Sequence, residues 1–216
     1  MDFESRIKKE MTEGIVRAIL EDAQYRVIES GVEKIWREVA HMSAEDYARL
    51  AFPHAMRRMP DLTVMDASQT EKYLVEVKYR GKWDKSLFDE IVDQVRLFHD
   101  MVLVCVNADP PNQYKRYYPS TYLRCCRVKV ERDKVRVQMR RKRPALPEPE
   151  KAKDEPKTEY QHYWLDMDKL HDGDSLWWAM SPLEEIFPSL QSKSLDENRT
   201  LEKAIKALEG ILTLPA

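Results

Sequence analysis

The chain has 216 residues, of which 43% are hydrophobic and 34% charged, and its formal net charge is −2. This composition is typical of a globular domain and excludes a largely disordered chain. The most apolar run, residues 101–106, is far shorter than the roughly 20 residues that cross a bilayer. The first residues are too charged for a secretory signal. The sequence therefore predicts no membrane partner.

Cysteine and glycine usage excludes two further classes of protein. There are three cysteines, and the adjacency of Cys125 and Cys126 does not suit a disulfide framework. The five glycines lie far apart, so the sequence contains no glycine-rich loop of the kind that cradles nucleotide phosphates. A cytoplasmic location is the expectation that follows from the reduced cysteines.

Charge is divided unevenly along the chain. Residues 1–143 contain 28 Lys and Arg against 23 Asp and Glu, whereas residues 144–216 contain 8 against 15. Nine basic and two acidic residues fall within 127–143. Such a distribution fits a surface that binds a polyanion. It fits equally a basic hairpin that the acidic region of the same chain neutralises.

Apolar periodicity predicts the secondary structure in chain order. Apolar residues at three- and four-residue steps indicate an amphipathic first helix, and two strand-like runs around the turn at 67–70 indicate a β-hairpin. Ser43 is the expected N-cap of a helix. The predicted elements are a helix at 4–22, a strand at 25–28, a mostly helical stretch at 32–57, strands at 62–65 and 72–79, a helix capped by Asp84, a buried strand at 101–106, strands at 122–130 and 134–140, and a helix at 195–212.

These elements predict an α/β fold with a mixed central sheet flanked by helices. We assign residues 1–143 to the core domain. Residues 144–158 hold four prolines and many charges, which indicates a linker or a loop. The aromatic-rich extension at 159–216 ends in an amphipathic helix, and we expect it to pack on the core.

The residues with the clearest chemistry lie on the predicted hairpin. With the turn centred between Ser68 and Gln69, Asp61 and Glu76 stand opposite one another, with Cβ atoms about 5 Å apart. Side chains alternate along a strand, so Lys78 shares the face of Glu76 and the side chain of Val77 points into the core. Two adjacent carboxylates suit a divalent cation such as Mg²⁺. The alternative is a solvated strand face with a Glu–Lys pair.

The pattern Pro60-Asp61 followed by Glu76-Val77-Lys78 resembles the PD-(D/E)XK nuclease superfamily, which has the restriction-endonuclease-like fold. The resemblance covers about residues 4–106. It implies that Asp61, Glu76 and the carbonyl of Val77 hold Mg²⁺ or Mn²⁺ and that Lys78 is catalytic.

Two further residues belong to this resemblance. Glu13 on the first helix matches the helix glutamate of Holliday-junction-resolvase-like members. Gln94, followed four residues later by Phe98, is similar to the Gln and aromatic residue of RecB-like members, although those carry Tyr where this chain has Phe. An exposed helix glutamate and a structural glutamine are the alternatives for Glu13 and Gln94.

Basic residues outside the hairpin are candidates for nucleic-acid contacts. One group, just before Pro60, consists of His54, Arg57 and Arg58. A second group is the basic run at the end of the strand predicted at 134–140. Each of these residues fits a solvated basic surface as well. The run consists of Arg140, Arg141, Lys142 and Arg143.

The expected function is a metal-dependent nuclease, with DNA as the expected partner and endonuclease action favoured, in which water attacks a phosphodiester in line. The alternative is a nuclease-like fold of little or no activity that binds nucleic acid or serves in an assembly. The helix at 195–212 is a candidate surface for a homodimer.

Overall fold

In the computed structural model, nine helices and seven strands can be described, together with a 3₁₀ turn at Met167–Lys169. The helices are α1 (Phe3–Asp22), α2 (Val32–Ile35), α3 (Ala44–Arg49), α4 (His54–Arg57), α5 (Ser86–Phe98), α6 (Pro119–Tyr122), α7 (Asp174–Ala179), α8 (Leu183–Ile186) and α9 (Thr200–Leu212). The strands are β1 (Arg26–Glu29), β2 (Leu62–Met65), β3 (Lys72–Arg80), β4 (Asp100–Asn107), β5 (Leu123–Glu131), β6 (Lys134–Lys142) and β7 (Tyr160–Asp166). The structure describes residues 3–36, 39, 42–108, 119–142, 160–170, 174–191 and 200–212.

All seven strands form one sheet in the order β1-β2-β3-β4-β5-β6-β7. β3 and β4 run parallel, and every other neighbouring pair is antiparallel. Helix α5 makes the crossover between the two parallel strands, as a parallel connection requires. The predicted α/β class with a mixed sheet flanked by helices is therefore confirmed.

Each face of the sheet buries its own apolar cluster. On the first face, Val16 and Ile19 of α1 pack with Val75 and Val77 of β3, and α8 and α9 add further apolar residues. On the second face, α5 and α7 cover the sheet. β4 is buried on both faces because its alternate residues enter the two clusters, which explains its unbroken apolar sequence. The second cluster includes Leu87, Phe88, Ile91, Val95, Leu103, Cys126, Val137 and Trp177.

Both predicted hairpins are found, and the first has the expected register. Leu62 pairs with Val75, as the turn arithmetic requires. Arg132 and Asp133, which both have positive φ, form the two-residue turn between β5 and β6. Ser43 caps α3 by accepting a hydrogen bond from the backbone N–H of Asp46 at 3.1 Å.

The capping of α5 differs in detail from the prediction. Lys85 occupies the N-cap position, and its side chain makes no capping hydrogen bond. Asp84 nevertheless contributes, because its carboxylate accepts from the backbone N–H of Ser86 at 3.0 Å. The acceptor is thus displaced by one residue but still satisfies an N–H group of the first turn.

The C-terminal helix α9 packs against α1. Leu201, Ile205 and Leu208 enter the first apolar cluster together with α1, and the hydroxyl of Thr200 donates to the carboxylate of Asp22. The predicted linker at 144–158 and the first residues of the predicted helix, 195–199, lie outside the described residues. Among the residues that the structure describes, no helix is long and apolar enough to cross a membrane.

Candidate active site where strands β2 and β3 separate

The position of Asp61 is fixed by the strand that lies on its other side. The backbone N–H of Ser30 donates to the carbonyl of Asp61 at 2.9 Å, and the Ser30 hydroxyl donates to the carbonyl of Pro60 at 2.8 Å. Ser30 follows β1 directly and is buried. The β1–β2 contact therefore extends beyond the last ladder pair and holds the backbone on which the Asp61 side chain is mounted.

Pro60 ends the pairing between β2 and β3. In the register of the hairpin, Pro60 would face Val77, but proline has no N–H to donate to a neighbouring strand. The carboxylate of Asp61 instead accepts from the N–H of Val77, with an Oδ2–N distance of 2.7 Å. The N–H and C=O of one strand residue point to the same side, so the carbonyl of Val77 also faces the Asp61 side of β3.

Glu76 lies on the second face of the sheet and uses both carboxylate oxygens. Its Oε1 accepts from Nζ of Lys78 at 2.8 Å, and its Oε2 accepts from Nε2 of Gln94 at 2.8 Å. Glu76 and Gln94 are buried, whereas the Lys78 side chain is 22% exposed. Lys78 lies two residues after Glu76, so both side chains are on the same face of β3. Helix α5 covers that face and brings Gln94 into contact with Glu76.

Glu13 enters the site from α1. It is only 6% exposed, and its carboxylate lies 3.4 Å from Nζ of Lys9 and 3.7 Å from Nζ of Lys34. Lys9 is one helical turn away on α1, and Lys34 comes from the short helix α2. The exposed-helix alternative for Glu13 is therefore wrong, because its carboxylate is buried and ion-paired.

The charges of Glu76 and Glu13 both act on the carboxylate of Asp61. Burial, followed by the charges of Glu76 and Glu13, raises the pKa of Asp61 to about 8, although the Val77 hydrogen bond and Lys9 oppose this shift. A carboxyl group with two acidic neighbours and little water around it resists ionisation. A bound cation relieves this kind of repulsion.

The donor set suits a hard divalent cation. Asp61, Glu76 and the Val77 carbonyl offer oxygen ligands, and Mg²⁺ is commonly held by one or two carboxylates with water completing its shell. In the part of the chain that the structure describes, no cluster of three or more His, Cys, Asp and Glu has the arrangement of a metal site. A magnesium site here thus depends on two carboxylates and a backbone carbonyl.

The sequence-predicted residues divide into two groups. Glu13, Asp61, Glu76, Val77, Lys78 and Gln94 converge on the gap between β2 and β3. The alternative of a solvated strand face is wrong in one respect, because Asp61 and Glu76 are buried, with exposures of 9% and 8%. The Glu–Lys pair that this alternative includes is present.

The basic candidates lie elsewhere. His54 and Arg57 are exposed on α4, and Arg58 pairs with Asp93 of α5 at 3.3 Å. Arg140 is 9% exposed and paired with Glu185 at 2.7 Å. Exposed residues Arg141 and Lys142 continue β6, and Arg143 lies outside the described residues.

Sequence reasoning missed three residues that shape the site. Ser30 anchors Pro60 and Asp61, and Lys9 and Lys34 flank Glu13. The i, i+4 spacing of Lys9 and Glu13 is a usable sequence signal. Ser30 and Lys34 leave no such signal, because their partners are distant in sequence.

Comparisons with protein-family models, with curated proteins and with solved structures found no match. The fold and the site define the class only as an α/β protein in which a buried Asp61 is influenced by the charges of Glu76 and Glu13, and in which Glu76 is bonded to a lysine and a glutamine.

Proposed function

We propose that this protein is a metal-dependent nuclease of the restriction-endonuclease-like fold, with DNA as its preferred substrate. The observation that carries the proposal is the convergence of Asp61, Glu76, Lys78 and Glu13 where β2 and β3 separate. A helix, a strand, a hairpin, a helix and a parallel strand occur in that order around the site, which agrees with the resemblance in the hairpin motif.

In this proposal Asp61, Glu76 and the Val77 carbonyl hold Mg²⁺ or Mn²⁺. The metal would lower the pKa of a water molecule and polarise the phosphodiester. Glu13 adds a negative charge that acts on Asp61. Gln94 fixes the carboxylate of Glu76 by donating a hydrogen bond to its Oε2.

Lys78 has the role of orienting the attacking water and of neutralising charge that develops on the phosphate. Its side chain is 22% exposed and its Nζ lies 2.8 Å from Oε1 of Glu76, so the ammonium group is beside a candidate ligand on a side chain that solvent reaches. Charge stabilisation by a preorganised cation is a large contribution to phosphoryl-transfer rates. Loss of this cation should therefore lower kcat more than substrate affinity.

A cleavage assay tests the proposal. The purified protein is incubated with supercoiled plasmid, linear duplex, single-stranded and branched DNA, and RNA, with Mg²⁺, Mn²⁺ or EDTA. We expect metal-dependent cutting that Asp61→Asn and Lys78→Met abolish and that Asp66→Asn leaves intact, since Asp66 lies at the hairpin turn. Equal cutting by wild type and both site variants would refute the proposal.

The second candidate function is a non-catalytic module with the same fold that binds nucleic acid or serves in an assembly. It is favoured by the engagement of both Glu76 oxygens with Lys78 and Gln94, which suits a closed structural cluster. Calorimetric titration with Mn²⁺ separates the two functions. The nuclease requires binding that Asp61→Asn eliminates, whereas the module requires none.

A further inference from the structure

Glu13 has cationic partners that the proposed metal site does not explain. Its carboxylate is buried, but it is not among the proposed metal ligands. Each of its two oxygens instead lies near a lysine, since Oε1 is 3.4 Å from Nζ of Lys9 and Oε2 is 3.7 Å from Nζ of Lys34. A buried carboxylate is costly to leave unpaired, so these two ammonium groups stabilise its ionised form.

Both lysines are linked to Asp61 by contacts of the described residues. The charges of Glu13 and Lys9 act directly on the Asp61 carboxylate, in opposite directions. Lys34 belongs to α2, which begins two residues after Ser30, and the N–H of Ser30 donates to the carbonyl of Asp61 at 2.9 Å. The side chains of Lys9 and Lys34 are 37% and 31% exposed, so solvent reaches both lysines beside a buried acid.

Positive charge is already supplied to two of the three site carboxylates. Glu13 is paired with Lys9 and Lys34, and Glu76 is paired with Lys78. The carboxylate of Asp61 instead accepts from a backbone N–H and has its pKa raised by burial and by its acidic neighbours. The need for a further cation is therefore greatest at Asp61.

A second divalent ion at Glu13 would meet a different environment. It would lie within a few ångströms of the ammonium groups of Lys9 and Lys34, and like charges at that distance repel strongly in a partly buried site. Hydrolysis of a phosphodiester nevertheless benefits from positive charge on both the attacking and the leaving oxygen, which two-metal sites supply with two ions. A fixed ammonium group supplies such a charge without a second metal.

We infer that Lys34 takes the place of a second divalent cation beside Glu13, so that the candidate site binds a single metal ion. The inference rests on the proposed function for the metal held by Asp61 and Glu76. It makes Lys34 a positioning residue, which holds the carboxylate of Glu13 and sets the number of metal ions. Lys34 and Lys78 then provide cations on the Glu13 side and on the Glu76 side of Asp61.

Counting bound metal ions without substrate tests the inference. Calorimetry and electron paramagnetic resonance follow the titration of the protein with Mn²⁺ into the millimolar range at neutral pH. We expect wild type to bind a single ion and Lys34→Gln to bind two, with the ion at Asp61 held about tenfold more tightly because a neighbouring positive charge is gone. Lys34→Arg keeps the charge and should bind a single ion. The double variant with Glu13→Gln and Lys34→Gln should lose the second ion again.

Lys129→Gln is the matched control. Lys129 is 27% exposed and its Nζ lies 3.4 Å from a carboxylate oxygen of Glu131, so it resembles Lys34 in exposure and in pairing, but it belongs to β5. We expect this variant to bind a single ion with wild-type affinity. Thermal melts check that each variant is folded. Saturating Mn²⁺ should raise the Tm of Lys34→Gln more than that of wild type, because two ions then bind the folded state.

Two results would overturn the inference and leave the proposed nuclease standing. The first is binding of two Mn²⁺ ions by wild type, both lost in Asp61→Asn. The second is a single ion in Lys34→Gln, which would show that Lys34 does not set the number of ions. Absence of Mn²⁺ binding by wild type is a distinguishable result, because it would overturn the proposed metal site and this inference together.

Discussion

The carboxylate of Asp61 takes the place of a strand partner for Val77. Its Oδ2 accepts the Val77 N–H at 2.7 Å at the point where Pro60 cannot continue the ladder. Pro60 and Asp61 thus end the pairing between β2 and β3 and place an acidic side chain against the backbone of β3.

Protonation of Asp61 should make stability depend on pH. Its pKa is raised from the ordinary value of 3.8 to about 8 in the folded protein, so the folded state binds more protons than the unfolded state between these values. The free energy of unfolding should therefore fall as pH rises from about 4 to about 8. Asp61→Asn keeps an acceptor for Val77 and should remove most of this fall, so that its Tm exceeds that of wild type at pH 8 by about 2–4 °C or more.

Thermal melts from pH 4 to pH 8.5 in EDTA measure this effect. Asp66→Asn is the control, because Asp66 lies at an exposed turn where hydrogen bonds lower its pKa. Addition of Mg²⁺ at pH 8 should raise the Tm of wild type and leave that of Asp61→Asn unchanged. Parallel pH profiles of wild type and Asp61→Asn would contradict the prediction.

Ser30→Ala should impair activity through the position of Asp61. The substitution removes the hydroxyl bond to the Pro60 carbonyl and should cost about 1 kcal/mol of stability. Ser43→Ala removes the N-cap of α3 and should cost a similar amount, about 1 kcal/mol. Only Ser30→Ala should reduce metal-dependent cleavage at a temperature where both variants are folded. Equal cleavage by the two variants would show that Ser30 does not position Asp61.

Gln94→Glu should introduce a repulsion that depends on pH. The new carboxylate would face Oε2 of Glu76, where Gln94 now donates a hydrogen bond at 2.8 Å. Two adjacent buried carboxylates cannot both ionise readily, so one holds a proton at low pH and loses it at a cost as pH rises. The stability of Gln94→Glu, measured by denaturant unfolding, should fall below that of Gln94→Leu at pH 8 and approach it at pH 5. Equal stability at pH 8 would count against the Glu76–Gln94 contact.

The adjacent arginines Arg140 and Arg141 should have different roles. Arg140 is paired with Glu185 at 2.7 Å, and its guanidinium lies 4.1 Å from the centre of the Tyr160 ring, whereas Arg141 is exposed. Arg140→Met should lower stability by about 1.5–3 kcal/mol, since it removes a charged hydrogen bond. Arg141→Met should change stability by no more than about 0.5 kcal/mol.

Nucleic-acid affinity should show the reverse order. Arg141→Met should weaken duplex binding and reduce its salt dependence, because an exposed arginine is available to phosphate. Arg140→Met should leave affinity unchanged in preparations that are folded. Anisotropy titrations at several KCl concentrations measure both, and a larger loss of affinity for Arg140→Met would contradict the assignment.

The candidate site was largely predictable because its key residues lie on one hairpin. A two-residue side-chain period and a short turn fix which residues of Pro60-Asp61 and Glu76-Val77-Lys78 are neighbours. The hydrogen bond between the Asp61 carboxylate and the Val77 N–H was not predictable. It depends on the contact of Ser30 with Pro60, which holds the backbone at the end of the ladder in place and joins residues that are 30 positions apart.

The environments of the basic residues at the end of β6, by contrast, were not predictable from the sequence. The sequence presents Arg140, Arg141 and Lys142 as equivalent cations. The sheet turns alternate side chains to opposite faces, and α8 brings Glu185 against Arg140 alone. Their separate environments could not be read from local spacing, because the acidic partner follows 45 residues later.

Strand β7 and the short helices α6, α7 and α8 were not predicted. Local pattern by itself determined most of the other helices and strands, the register of the first hairpin and the pairing of two acids with a lysine. These features depend on residues that are close in sequence, where helical and strand periods set the geometry. Tertiary structure alone decided that Glu13 and Gln94 face the site, that Ser30 supports Asp61, and that Trp36 stacks on Phe52. Those relations join elements that only the packed sheet and its flanking helices bring together.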